Sequence, residues 1–492
     1  MRVLQVSAEL FPLLKTGGLA DVTGALPAAL RRSGGDVRVL LPGFPAILRG
    51  LQAIEPLAVF DTPSGGRAAL RRGLLPDGVT VAYVIDAPAL FDRPGNPYVD
   101  RHGLLYADSA QRFALLGYTA AWLAHGLDGD WRPQIVHSHD WHAGLAPAYL
   151  RWGAPARGLT PAATAGHRVA SVYTVHNLAY QGLFGPETFS GLGLPGAAFG
   201  IDGLEFHGQV SFMKAGLACA DRLATVSPTY AREIQQPEQG CGLDGLLRAR
   251  AADLTGILNG VDDAIWNPAQ DPLLPFRFDA RRHAGKRHCK VALQQSLGLA
   301  LKGNAPLFGV VSRLAEQKGL PLVLQGMPEL IRLGGQLVLL GSGEPALESA
   351  FLAMAQAHPA SVAVRIGYDE TQSHQIFAGT DVTLVPSRFE PCGLTQMYGL
   401  KYGSLPLVRN VGGLADTVVD SALENLADGT ATGFVFDGYD DASYNRALRR
   451  AFALFARAAD WQRVQRRAMQ QAFDWDSAAV QYMALYQRAL EA

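Results

Sequence analysis

The stretch Val385-Pro386-Ser387-Arg388-Phe389-Glu390-Pro391-Cys392-Gly393-Leu394-Thr395 decides how this chain is read. Val382 to Val385 is a short apolar run bounded by turn residues, the pattern of a buried strand. A tight turn with one acid, Glu390, follows, and a helix is expected to open at Gly393. A loop that leaves the carboxyl end of a strand and enters a helix is where open α/β sheets bind ligands. The unpaired N–H groups of the helix start favour an anion, typically a phosphate. Glu390 then stands at the mouth of an anion site, placed to touch whatever the phosphate carries. The spacing alone fits equally well an acid that serves only the first turn of its own helix.

At 492 residues the chain exceeds one hydrophobic core, and two or three domains are expected. A hydrophobic content of 48% with 18% charged residues is ordinary for a globular enzyme. The formal net charge of −1 disfavours nucleic acid or an anionic membrane as a general partner. Cys219, Cys241, Cys289 and Cys392 lie far apart, which argues against a zinc site or a disulfide framework and suits a reducing cytoplasm. The opening Met1-Arg2-Val3-Leu4-Gln5-Val6-Ser7 has a strand pattern rather than that of a signal peptide. No apolar run of about 18 residues occurs, so no membrane span is expected and the location is read as cytoplasmic.

In the first half, Val3 to Val6, a helix ending near Arg32 and Val37 to Leu41 form a βαβ opening. Lys15-Thr16-Gly17-Gly18-Leu19-Ala20-Asp21 lies where such a unit places its phosphate loop. It is neither GxGxxG nor a Walker motif, because the lysine precedes the glycines. Gly17 and Gly18 let a ligand approach the backbone, and Lys15 adds a mobile charge; a glycine cap beside a solvated lysine is the plainer alternative. Strands at Ile135–His137 and Val172–Val175 run into Ser138-His139-Asp140-Trp141-His142 and His176-Asn177-Leu178-Ala179-Tyr180-Gln181-Gly182. Imidazole, amide and carboxylate groups at strand ends suit the recognition of sugar hydroxyls. His139 and His142 lack a third ligand, so no metal is expected. Ser227 reads as an N-cap with Pro228 at the first helical position. Gly256 to Asp262 is expected as the last strand of this half, and Trp266-Asn267-Pro268 with Pro272 marks a boundary. The basic stretch Arg281 to Lys290 reads as a solvated helix face.

In the second half the pattern restarts, with strands expected at Leu307–Val311, Gln336–Leu340, Val362–Ile366, Val382–Val385 and Leu405–Val408. Gly-Gly-Leu-Ala-Asp at 17–21 returns at 412–416, each copy between a strand and a helix. The organisation is therefore two α/β units, each aiming helix starts at a shared cleft. Arg313 and Lys318 flank one strand-to-helix turn, where a fork and a point charge can clamp a diphosphate. Amphipathic segments at about 444–458, 461–473 and 477–490 close the chain.

The Lys15–Leu19, His139–His142, His176–Gly182, Ser312–Leu314, Gln317–Gly319 and Ser387–Thr395 segments together resemble the bacterial glycogen synthase and plant starch synthase family, from first strand to last helix. The resemblance implies an α/β chain of two Rossmann-like domains facing across a cleft, the glycosyltransferase B-type fold. The domains would be residues 1–260 joined by the terminal helix 474–492, and residues 261–473. It implies ADP-glucose as donor, glycogen or another α-1,4-glucan as acceptor, retention of anomeric configuration and no cofactor. Arg313 and Lys318 would bind the diphosphate, Glu390 the glucose hydroxyls, and backbone N–H groups of Cys392, Gly393, Leu394 and Thr395 phosphate and sugar oxygens. Lys15 and Gly18 would reach the distal phosphate and glucose, with Thr16, Gly17, Asp21 and Asn177 lining the substrate. His176 would meet the glucose at its reacting face, supported by Asp140 and Asn259, and Tyr368 would lie against adenine. Closure about residues 259–268 would assemble the site. Tyr398 stands where many retaining transferases carry a second glutamate, which is the pattern expected of glycogen and starch synthases. A UDP-glucose-dependent transferase, a sugar-nucleotide epimerase of the same fold and a silent glucan-binding relative are the alternatives.

Overall fold

The computed structural model describes residues 1–153, 158 and 168–492. The chain divides into two compact units, Met1–Gly260 with Trp475–Ala492, and Val261–Asp474.

The first unit is built on β1 (Arg2–Val6), β2 (Asp36–Pro42), β3 (Gln52–Asp61), β4 (Arg67–Leu74), β5 (Val81–Asp86), β6 (Ile135–His139) and β7 (Ala170–Val175). Short strands β8 (Leu183–Phe184), β9 (Glu205–Phe206) and β10 (Gln209–Ser211) form a separate sheet, and β11 (Arg222–Thr225) and β12 (Leu254–Gly256) complete the main one. Its order is β12-β11-β7-β6-β1-β2-β5-β4-β3, parallel from β12 to β5 and antiparallel beyond. Chain direction across the sheet reverses at β1, which β2 and β6 flank on either side. The loops after β1 and β6 therefore leave at the switch point, where doubly wound sheets bind ligands. The helix Gly18–Arg32 and the terminal helix Trp475–Glu491 share one apolar seam over this sheet, with Val22, Leu26, Ala29 and Leu30 facing Ala478, Tyr482, Leu485 and Tyr486. These positions recur at helical spacing. Burying Leu26 or Leu485 there is worth about 1.5–3 kcal/mol each.

The second unit holds β13 (Leu307–Val311), β14 (Gln336–Gly341), β15 (Val362–Ile366), β16 (Val382–Val385), β17 (Leu405–Arg409) and β18 (Phe434–Phe436). All pair in parallel in the order β15-β14-β13-β16-β17-β18, a doubly wound sheet with its switch point between β13 and β16. The helices Asp441–Phe455 and Ala458–Met469 pack on it, each starting about three residues earlier than the apolar pattern indicates. The first start is set by Asp440, whose side chain caps Ser443 N–H.

Three expectations need correction, and one hairpin is unexpected. The helix after Glu390 opens at Thr395, not Gly393, because Gly393 has a φ of +72° and lies in the left-handed region. The last strand of the first unit is Leu254–Gly256, and residues 257–260 are irregular. The basic stretch is not a uniformly solvated face: in the helix Ala284–Ser296, Lys286 and Lys290 are buried while Arg287 is exposed. Lys286 Nζ donates to Phe377 O and Ala378 O at the end of the helix Glu370–Gly379, and Lys290 Nζ pairs with Asp381 Oδ2 at 2.6 Å. The hairpin β3–β4 has no counterpart in the sequence reading, since Pro56 and two register shifts interrupt its alternation.

Candidate active site

Because β13 and β16 are neighbours, the loops leaving their carboxyl ends adjoin. The first loop carries Arg313 and Lys318, the second Glu390. Lys318 Nζ donates to Glu390 Oε2 at 2.6 Å, and the buried Ser387 hydroxyl donates to the same oxygen at 2.9 Å. One carboxylate oxygen thus has two protein donors, and Oε1 remains as the acceptor for anything else. Arg313 opens the same loop, its Nη2 3.3 Å from Gln317 Oε1. The two loops are tied by Arg388 N–H on Gln317 O at 2.8 Å and by the Arg388–Glu316 ion pair at 2.8 Å.

Glycines seat the acid. A Cβ on Gly319 would lie 1.9 Å from Pro386 O, and one on Gly412 would lie 1.9 Å from Glu390 O. Gly413 N–H donates to Glu390 O and Pro391 O at 3.2 and 3.1 Å. The second Gly-Gly-Leu-Ala-Asp copy is therefore required by the Glu390 loop itself. Downstream, the Gln396 side-chain amide donates to Cys392 O at 3.0 Å and Gly393 O at 2.8 Å, fixing the turn from Cys392 through Leu394 to Thr395.

In the first unit the buried Glu9, three residues beyond β1, organises the loop after β1. Its carboxylate accepts from Thr16 N at 2.5 Å, from Thr16 Oγ1 at 2.6 Å and from the Tyr98 hydroxyl. Burial and then the Glu9 charge push the Tyr98 hydroxyl well above its ordinary value. Lys15 Nζ lies 2.8 Å from Asp21 Oδ1 on the helix that Gly18 opens. A Cβ on Gly17 or Gly18 would meet no protein atom within 4 Å, so this copy of the motif is not demanded by packing.

At the end of β6, Asp140 adopts a φ of +56°, a conformation that costs a non-glycine residue about 1–3 kcal/mol. Its Oδ1 accepts from His176 N at 2.7 Å and Asn177 N at 3.3 Å, so Asp140 holds the first residues after β7. Burial pushes the Asp140 carboxyl up to about 7, against the pull of these two N–H groups. His176 Nε2 lies 3.0 Å from His139 Nδ1, and burial pushes His176 down to about 3, leaving a neutral ring at physiological pH. Asn177 Oδ1 accepts from Ala179 N. Asn259 is buried with Oδ1 unpartnered, and no hydrogen bond joins it to His176 among the described residues. His142 turns away from His139 into an aromatic cluster, stacked on Tyr98 at 4.6 Å and edge-on to Phe113 at 5.0 Å.

After β15 the Tyr368 ring is 67% exposed. Tyr398 stacks on Trp266 at 3.8 Å, with His374 stacked on the same indole at 3.8 Å. The roles of Glu9, Ser387 and Gln396, and the packing that makes Gly319 and Gly412 obligatory, are not evident in the sequence. Glu9 and Ser387 each stand within three residues of a strand end, the one signal that could have found them.

Two doubly wound α/β units, one carrying Arg313, Lys318 and Glu390 at its switch point, define a glycosyltransferase of the B type. Residues 2–249 match the family described as "Starch synthase catalytic domain", and residues 295–467 match "Glycosyl transferases group 1". A glycogen synthase of Variovorax paradoxus (strain S110) is 64% identical over 100% of this chain and 99% of its own length. A glycogen synthase of Francisella tularensis subsp. novicida (strain U112) is 57% identical over 99% of this chain and 98% of its own. The catalytic domain of starch synthase IV from Arabidopsis thaliana, bound to ADP and acarbose, superposes with a TM-score of 0.89 at 33% identity, covering 100% of this chain and 99% of that one. Sucrose-phosphate synthase from Thermosynechococcus elongatus shares the fold, with a TM-score of 0.57 at 17% identity over 99% of this chain and 98% of that one. The chain belongs to the glycogen synthase and starch synthase family, and it is a hexosyltransferase. Among the described residues no helix is long and apolar enough to cross a membrane.

Proposed function

We propose that the chain transfers glucose from ADP-glucose to the non-reducing end of an α-1,4-glucan such as glycogen, with retention of anomeric configuration. The observation that carries this reading is the shared oxygen of Glu390, held by Lys318 and Ser387 beside the loop of Arg313. A carboxylate fixed on one oxygen offers the other to sugar hydroxyls, while Arg313 and Lys318 supply positive charge for a departing diphosphate. Glycogen synthases at 64% and 57% identity along the whole chain support the polymer acceptor, and the ADP of the starch synthase IV structure supports an adenine nucleotide.

In this reading the glucosyl group passes through an oxocarbenium-like state on one face, and the leaving diphosphate takes the acceptor's proton. Tyr398 stacks on Trp266, so the position eight residues after Glu390 supplies no second carboxylate for a double displacement. The protein's contribution is then electrostatic, from Lys318 and Arg313 on the diphosphate as the bond breaks. Lys15 and Gly18 meet the distal phosphate and glucose, with Thr16, Gly17, Asp21 and Asn177 lining the substrate. In this reading His176, its backbone N–H held by Asp140, meets the sugar, with Asn259 in support. Tyr368 stacks on adenine, and N–H groups from Cys392 to Thr395 take phosphate and sugar oxygens.

The test is nucleoside diphosphate release from ADP-glucose and from UDP-glucose, each with and without glycogen, beside glucose incorporation into polymer. Glycogen-dependent ADP release equal to incorporation is expected. Preference for UDP-glucose, or release without incorporation, would overturn the donor or the reaction.

A further inference from the structure

We propose that Gln5 is a positioning residue whose side-chain amide fixes the proton of His176 on Nε2, so that His176 presents Nδ1 to the sugar as a hydrogen-bond acceptor. This rests on the reading above that His176 meets the donor sugar.

The residues lie on three adjacent strands. Gln5 of β1 stands opposite His137 of β6, and His139 of β6 stands opposite Thr174 of β7. Gln5, His137, His139 and Tyr486 of the terminal helix are all buried, Gln5 at 2% exposure and the others at 0%. Gln5 Oε1 lies 2.5 Å from His139 Nε2, while Gln5 Nε2 donates to Tyr486 OH at 3.0 Å and lies 3.1 Å from His137 Nδ1. His137 Nδ1 is 2.8 Å from Tyr486 OH, and His137 Nε2 is 2.6 Å from Thr174 Oγ1.

Proton positions follow from the partners. An amide oxygen carries no hydrogen, so the proton between Gln5 Oε1 and His139 sits on His139 Nε2. A neutral imidazole carries one N–H, which leaves His139 Nδ1 bare. The 3.0 Å contact between His139 Nδ1 and His176 Nε2 then needs its proton on His176 Nε2. Burial, the largest influence on each, pushes His139 well below its ordinary value and His176 down to about 3, so both rings are neutral. His176 Nδ1 has no protein partner among the described residues, and as a bare nitrogen it can only accept, from a sugar O–H. Reversing the Gln5 amide would put N–H against His139 and move the proton of His176 to Nδ1. The orientation of one amide therefore sets whether His176 accepts from the sugar or donates to it, and Tyr486 ties that amide to the terminal helix.

The experiment uses the full-length protein labelled with 15N-histidine, the His176 signals being assigned by their loss in His176→Asn. The imidazole 15N shifts and two-bond 1H couplings of wild type should show a neutral ring with Nε2–H. In Gln5→Met the His176 proton should move or exchange between the two nitrogens, with kcat/KM for ADP-glucose falling by about tenfold to a hundredfold. Leu485→Ala, which loosens the same buried terminal helix without removing a polar group, should lower the melting temperature yet leave the His176 tautomer in place. Nδ1–H on wild-type His176, an unchanged His176 spectrum in folded Gln5→Met, or an activity loss in Gln5→Met no larger than in a Leu485→Ala variant of equal melting temperature would each overturn the proposal. If Gln5→Met does not fold, the wild-type spectrum decides alone. The spectrum needs no donor, so absence of ADP-glucose turnover would fail the proposed function and leave this inference standing.

Discussion

Lys318 and Glu390, 72 residues apart in the chain, meet at 2.6 Å, and Ser387 donates to the same carboxylate oxygen. The lysine that reads from sequence as a diphosphate ligand is thus also a partner of the acid that reads as a sugar ligand. Lys318→Gln keeps a donor near Glu390 but removes the positive charge. Turnover should fall by about 10²–10³, the ordinary effect of losing one preorganised donor to a developing anion, with the melting temperature almost unmoved. Steady-state kinetics beside thermal unfolding tests this, and near-normal kcat in the folded variant would remove Lys318 from the chemistry.

The two Gly-Gly-Leu-Ala-Asp copies predict opposite outcomes for the same substitution. Gly18→Ala meets no protein atom, so stability should hold while the donor KM rises. Gly412→Ala places a Cβ 1.9 Å from Glu390 O at a φ of +45°, and should cost at least about 1–3 kcal/mol. Equal melting temperatures for the two variants would contradict the packing described.

Asp271 and His374 form a buried pair at 2.7 Å, with the Tyr402 hydroxyl 2.5 Å from the same Asp271 oxygen. Burial lowers His374, but its bonds to Asp271 and Glu370 outweigh that and raise its pKa overall. Burial raises Asp271, yet bonds from His374, Tyr402 and Leu273 N–H hold it below its ordinary value. The histidine's contribution is complete below about pH 6.5 and is lost as pH rises through its raised value, whereas the aspartate's is lost as pH falls through its lowered one. The melting-temperature gap between wild type and His374→Asn should therefore be widest near about pH 5–6 and narrow towards about pH 9. A constant gap across that range would show that the pair does not titrate as described.

Lys290 and Arg287 share one helix but not one environment. Lys290→Met strands Asp381 in the interior and should cost roughly 3–5 kcal/mol. Arg287→Ala, on the exposed side, should stay within about 0.5 kcal/mol. Chemical denaturation of both variants measures the difference, and similar losses would restore the solvated-face reading.

The positions of β1, β6, β7, β13 and β16 were legible because buried parallel strands are short apolar runs ended by turn residues. The loops that follow them were legible for the same reason, and with them Lys15, His176, Lys318 and Glu390. What stayed hidden depends on distant chain. Lys286 and Lys290 look like surface residues until the carbonyls of Phe377 and Ala378 and the carboxylate of Asp381 are brought to them. Gly412 reads like Gly18 because the backbone that crowds it, at Glu390, lies 22 residues earlier. Gln5 reads as one polar residue in a strand, and only the pairing of β1 with β6 places it between His137 and His139.

The proposed reaction is retaining glucosyl transfer from ADP-glucose to an α-1,4-glucan. Its most direct test is a 13C NMR time course of the full chain with ADP-[1-13C]glucose and a maltooligosaccharide. The donor signal should decay into an anomeric carbon of α-1,4-linked glucose at the non-reducing end, one per ADP formed. Free labelled glucose, a β-linked product or an unchanged donor signal would contradict it.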